Sequence, residues 1–210
     1  MIEIEYFGGN SLKITSNKQS LVINPKRAMF GLKDLNVNQS VEIVTSNQYI
    51  VDNNDGLLID GPGEYEVQGF SINGIAVNNY QDSEQNLRSE NIYGINIEEI
   101  RIAVLGNIKA KLNDDQLEAI GMVDVLIIPV GGGGYTLYGK EAAFLTKQIS
   151  PKIVIPVHYA DGSINYEVPQ DTDEEFKNEL NVELENKDKL SIKKAVDLPE
   201  HLKIVKLARK

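Results

Sequence analysis

Apolar and polar residues alternate from the second position onward. Ile2-Glu3-Ile4-Glu5-Tyr6 has a period of two, the pattern of a strand with one buried face. Ser11–Thr15, Ser20–Asn24, Val41–Thr45 and Gly56–Asp60 continue it, as do Phe70–Val77, Ile92–Ile97 and Arg101–Leu105. Two later runs, "VDVLIIPV" (123–130) and "KIVIPV" (152–157), are almost continuously apolar, which suits strands buried on both faces. Lys189–Lys194 and Leu202–Leu207 return to strand.

Helical patterns are few. Residues 113–120 open with an Asn113 cap and an acidic first turn, and Gly121 follows the last helical position. Gly139–Ile149 reads as a second helix, stopped by Ser150-Pro151. "TDEEFKNEL" (172–180) predicts a third, opened by a capping box of Thr172 and Glu175. Many strands with a few helices outside them predict a layered α/β sandwich. No linker, repeat or low-complexity tract divides residues 1–210, so a single domain is expected.

Composition narrows the function classes. The formal net charge of −10 argues against nucleic acid or an anionic membrane as partner, because phosphate contacts need a basic surface. With no Cys there are no disulfides, thiolate nucleophiles or Cys-based zinc sites. No apolar run approaches the roughly 20 residues of a membrane span, and the start "MIEIEYFGGN" has no signal-peptide pattern. The expected location is the cytoplasm.

Candidate chemistry is sparse. The chain has two His, His158 and His201. His201 reads as a surface residue, whereas His158 stands where a buried strand runs into a polar loop. No G-x-S-x-G elbow presents a nucleophile. Gly131, Gly132, Gly133 and Gly134, followed by Tyr135, lie between a strand and a helix. Their N–H groups could cradle a small anion, or the run could simply permit a tight turn. Glu64 and Glu66 alternate on one strand and read as a solvated pair.

The ordered series "YFGGNSLKI", "LVINPK", "VEIVTSNQYIVDNND", "GPGEYEVQG", "RIAVLGNI", "VDVLIIPVGGGGYT" and "IVIPVHY" resembles the metallo-β-lactamase superfamily. It is most similar to a small bacterial branch of zinc-dependent, lactonase-like hydrolases. The resemblance implies a four-layer αββα sandwich with two zinc ions at one edge. It also implies a His-x-His-x-Asp-His motif after the fourth strand. An ungapped match puts Gln48 and Ile50 at the paired His, Asp52 at the Asp and Asn53 at the last His. The next family His falls near Asn79, the bridging Asp on Asn107, and the final His on His158. Gly8-Gly9 stands where the family has Gly-His, and Asn24-Pro25 where it has Asp-Pro.

Of seven implied ligands, Asp52 and His158 remain. Ile50 has no donor atom, and neutral amide oxygens are poor zinc ligands beside imidazole or carboxylate. The segment therefore reads as an emptied site whose amides bond to one another, with no metal cofactor. His158 is expected to pair with Asp52 or Asn107. The expected function is a non-catalytic family member acting through binding or assembly, with itself, a related subunit or a small anionic ligand. The alternative is a metal-dependent hydrolase with an altered or mononuclear site.

Overall fold

The computed structural model describes residues 1–52, 56–81 and 89–210. Two sheets face each other. The first has six strands: β1 (Ile2–Gly8), β2 (Ser11–Ser16), β3 (Gln19–Ile23), β4 (Val41–Ile43), β5 (Leu57–Ile59) and, returning late, β13 (Leu190–Ile192). Their order is β13-β1-β2-β3-β4-β5, antiparallel through β3 and parallel from β3 to β5.

The second sheet has eight strands. β6 (Gly63–Val67), β7 (Phe70–Asn78), β8 (Ser89–Ile97) and β9 (Ile100–Val104) form an antiparallel meander. β10 (Val125–Pro129), β11 (Ile153–Val157), β14 (Lys203–Leu207) and β12 (Leu184–Lys187) extend it in parallel. β10 and β11 are the two continuously apolar runs, and every residue in them is buried. Strands covered on both faces have no side on which polar residues are favoured.

The alternation at Ile2, Ile4 and Tyr6 points these side chains into the shared core, where they join Ile14, Ile43, Phe70, Ile95 and Ile102. α1 (Asp114–Ile120) rests on β7 and β8, while α2 (Gly139–Ile149) rests on β10 and on α3 (Glu174–Leu180). α1 carries a capping box between Asn113 and Gln116. The capping box expected at Thr172 and Glu175 does not form. Asp173 takes the cap position without a side-chain bond, and Glu175 instead accepts from the Lys140 N–H at 3.2 Å. Docking of α3 on α2 thus outweighs the local motif.

On the outer side of the six-stranded sheet, Val22 is buried beneath Leu35, Val37 and Val51, so loop residues supply cover there. Strand ends from both sheets meet at one edge: β1, β3, β4, β7, β9 and β11 all hand over to loops at this edge. The His158 N–H donating to the Gly9 carbonyl at 2.9 Å ties the two sheets together there.

Candidate functional site

Asn24 follows β3 with a φ of 50°, a left-handed conformation that Asn adopts more readily than most residues. Its Oδ1 accepts from the Thr45 N–H at 2.8 Å, and its Nδ2 donates to the Asn10 carbonyl at 3.2 Å. β3 is thereby fastened to β4 and to the β1–β2 turn. Beyond Thr45 the chain makes one 3-10 turn, Asn47–Tyr49, with Ser46 as its extended cap.

That turn drives Tyr49 fully inside. Its hydroxyl accepts from Asn10 Nδ2 at 3.2 Å and from Asn107 Nδ2 at 3.3 Å. Asn10 Nδ2 also donates to Asn107 Oδ1 at 2.8 Å. Burial holds the Tyr49 phenol well above its usual pKa, so it stays protonated.

A carboxylate that the sequence reading passed over completes the network. Glu90, on β8, is entirely buried. Its Oε1 accepts from the Asn107 N–H at 3.0 Å and its Oε2 from Asn79 Nδ2 at 2.9 Å; Thr45 and Ser46 add side-chain hydrogen bonds. Desolvation raises its pKa to about 7, despite four hydrogen-bonding neighbours that pull the other way. Gly106 packs so closely that a Cβ there would overlap Glu90 Oε1 and press on Thr45.

His158 follows β11 with a φ of 51° and a fully buried ring. Tyr135 stacks over it at 5.5 Å between centroids and 17°, Tyr166 lies at 4.8 Å, and Phe30 meets it edge-on at 5.8 Å. Neither ring nitrogen has a hydrogen-bond partner. Burial lowers its pKa to about 3, leaving a neutral imidazole. The same rings wall a cavity of about 310 Å³, together with Gln48, Asn165 and Glu167. Gln48 Oε1 accepts from the Tyr135 hydroxyl at 3.3 Å, so the 3-10 turn also helps build this wall.

Residues 3–158 match the family model described as Beta-lactamase superfamily domain. The chain belongs to the β-lactamase superfamily. A UPF0173 metal-dependent hydrolase of Thermococcus onnurineus is 30% identical over 115 residues, covering 53% of this chain and 51% of the relative. The chain thus spans about half the length of that relative. A structure assigned as a Zn-dependent hydrolase of the metallo-β-lactamase superfamily from Thermotoga maritima superposes with a TM-score of 0.75 at 24% identity, covering 99% of both chains. The metallo-β-lactamase fold protein YhfI of Bacillus subtilis gives 0.62 at 9% identity, over 98% of this chain and 96% of that one.

Within this β-lactamase superfamily fold, the motif positions inferred from sequence scatter. Asn79, Asn107 and His158 reach the converging edge, and Gln48 faces the cavity wall. Ile50 packs against the apolar group of Phe30, Val44, Tyr49 and Ile164. Asp52 points outward, its side chain 86% exposed and 3.8 Å from Lys26. Asn53 lies outside the described residues.

The expected pairing of His158 with Asp52 or Asn107 does not occur, because the three aromatic rings enclose the imidazole. In a 3-10 turn residues three apart eclipse, so Ser46 and Tyr49 reach the network while positions 50 and 52 do not. Among the described residues no three His, Cys, Asp or Glu side chains gather as a metal-binding group.

The glycine loop is closely packed. The Gly132 N–H is already donated to the Leu137 carbonyl, and a Cβ on Gly131 would strike the His158 carbonyl. The run gives close packing and a left-handed turn that presents Tyr135. Glu64, Glu66 and His201 are solvent-exposed, and no helix among the described residues is long and apolar enough to cross a membrane.

Proposed function

We propose that this chain is a non-catalytic member of the superfamily that works by binding, with hydrogen-bonded side chains filling the place where metals would sit. The observation that carries this reading is the closed contact among Asn10, Tyr49 and Asn107. Amide oxygens and a protonated phenol are weak donors to zinc beside imidazole and carboxylate. Asn107 Oδ1 is already accepting, both Glu90 oxygens are engaged, and the His158 ring is packed among three aromatic rings. These residues do not fit a pair of zinc ions.

A second reading is a metal-dependent hydrolase with an altered or mononuclear site. The name of the Thermococcus relative and the buried carboxylate of Glu90 favour it.

Metal analysis of protein purified without chelators or a His tag separates the two, run alongside lactonase, esterase and phosphodiesterase assays. The binding reading expects far less than one zinc per chain and no hydrolysis above background. Stoichiometric metal with turnover would establish the hydrolase.

A further inference from the structure

We propose that the cavity beside His158 binds a small, uncharged, planar ligand bearing one hydrogen-bond donor and one acceptor, of the aromatic amide or nitrogen-heterocycle class. This rests on the binding reading above and adds what is bound.

Size comes first. At about 310 Å³ the cavity lies at the lower end of the roughly 300–1,000 Å³ typical of small-molecule sites, which suits a single ring system with short substituents. The wall is flat on several sides, because Phe30, Tyr135 and Tyr166 all present rings around His158. Planar ligands gain most from such surfaces through stacked or edge-on contact.

Polarity narrows the class. A neutral imidazole carries one N–H donor and one lone pair. Both are buried here without partners, and unpaired buried polar atoms are costly. A ligand offering one acceptor and one donor relieves both at once. An organic cation would satisfy the lone pair and leave the N–H orphaned. An anion finds no Lys or Arg in the wall, only Glu167, in a chain of net charge −10. Because the His158 ring is shut from solvent, the proposal requires one of the covering rings to turn aside as the ligand enters.

The test titrates the full chain with nicotinamide, benzamide and adenine as neutral planar probes, with inorganic phosphate as anion and choline as cation. Two readouts are followed: melting temperature and the His158 ring-nitrogen resonances, with exposed His201 as internal control. At least one neutral probe is expected to raise the melting temperature in a concentration-dependent way and to shift the His158 nitrogens but not those of His201.

In His158→Phe, which keeps a flat ring but removes both nitrogens, affinity for that probe should fall at least tenfold. Should this variant fail to fold, the wild-type resonances alone decide. Silence from all three neutral probes overturns the proposal, as does preferential binding of phosphate or choline. So does binding that leaves the His158 nitrogens unmoved. Such results in zinc-free, inactive protein would leave the non-catalytic reading intact, whereas stoichiometric zinc would overturn that reading by itself.

Discussion

Asn10 Nδ2 donates to Asn107 Oδ1 at 2.8 Å across 97 positions of chain, joining a turn of the six-stranded sheet to a loop of the eight-stranded one. Removing Asn107 with Ala leaves the buried Asn10 amide with only its longer bond to the Tyr49 hydroxyl, and takes one donor from Tyr49. A loss of about 1–3 kcal/mol is expected in urea denaturation. Asn10→Ala should cost a similar amount. The double variant should lose less than the sum, with a coupling of at least about 0.5 kcal/mol, as groups in one network do. Strict additivity would show that the three side chains act separately.

Tyr49→Phe tests the phenol itself. The Asn10 and Asn107 amides would each lose a bond, while ring packing in the apolar group around Val44 would be kept. The expected cost is about 1–2 kcal/mol without loss of the folded near-ultraviolet signature. An unchanged denaturation midpoint would mean that the hydroxyl is dispensable.

Prolonged EDTA treatment should leave the melting temperature unchanged, and added zinc should not raise it. A ligand that binds only the native state raises apparent stability by mass action, so a flat response to zinc reports no tight native site. A drop of many degrees on chelation would contradict the amide-filled site.

The pH dependence has opposing parts. Glu90 is raised from 4.5 to about 7 in the folded chain. Its contribution is complete below the unfolded value and is lost as pH rises through about 7, at most about 3 kcal/mol. His158 is lowered from 6.5 to about 3. Its contribution is complete above 6.5 and is lost as pH falls toward 3, up to about 5 kcal/mol. Between 4.5 and 6.5 the two slopes cancel and the parent's stability should be nearly level. In Glu90→Gln only the His158 part remains, so stability should climb with pH across the same window. An unaltered profile in that variant, measured by urea titrations at several pH values, would show that Glu90 does not titrate there.

Gly106→Ala should be among the most disruptive single changes at this edge. A Cβ there has no space between Glu90 and Thr45. Overpacking of this kind typically costs about 1–3 kcal/mol, and here it would also pull the Glu90 carboxylate off the Asn107 N–H. Unchanged thermal stability would show that the edge relaxes freely.

The sandwich was readable from alternation and from two apolar runs, because burial on one or both faces writes itself directly into a strand's period. Asn79, Asn107 and His158, singled out through the resemblance, all lie beyond strand ends at the converging edge. An ungapped match to the family motif aligns positions 48, 50 and 52, whereas the 3-10 turn in this chain groups 46 with 49 and leaves Asp52 facing outward. Glu90 left one trace, its parity with Ile92 on β8, and a lone carboxylate beside polar neighbours gives no sign of burial by itself. The enclosure of His158 could not be read at all, since Phe30, Tyr135 and Tyr166 come from three separate loops.

The Asn91 N–H, on β8, donates to the Thr45 carbonyl at 2.8 Å, crossing from one sheet to the other. With the Asn10–Asn107 bond and the His158–Gly9 bond, it works like a clasp on the fore-edge of a book whose covers are the two sheets. One page cannot be lifted alone. Hydrogen–deuterium exchange at the Asn91 amide is therefore a gauge of how often the whole book opens, and it should run at the pace of the slowest amides in the chain.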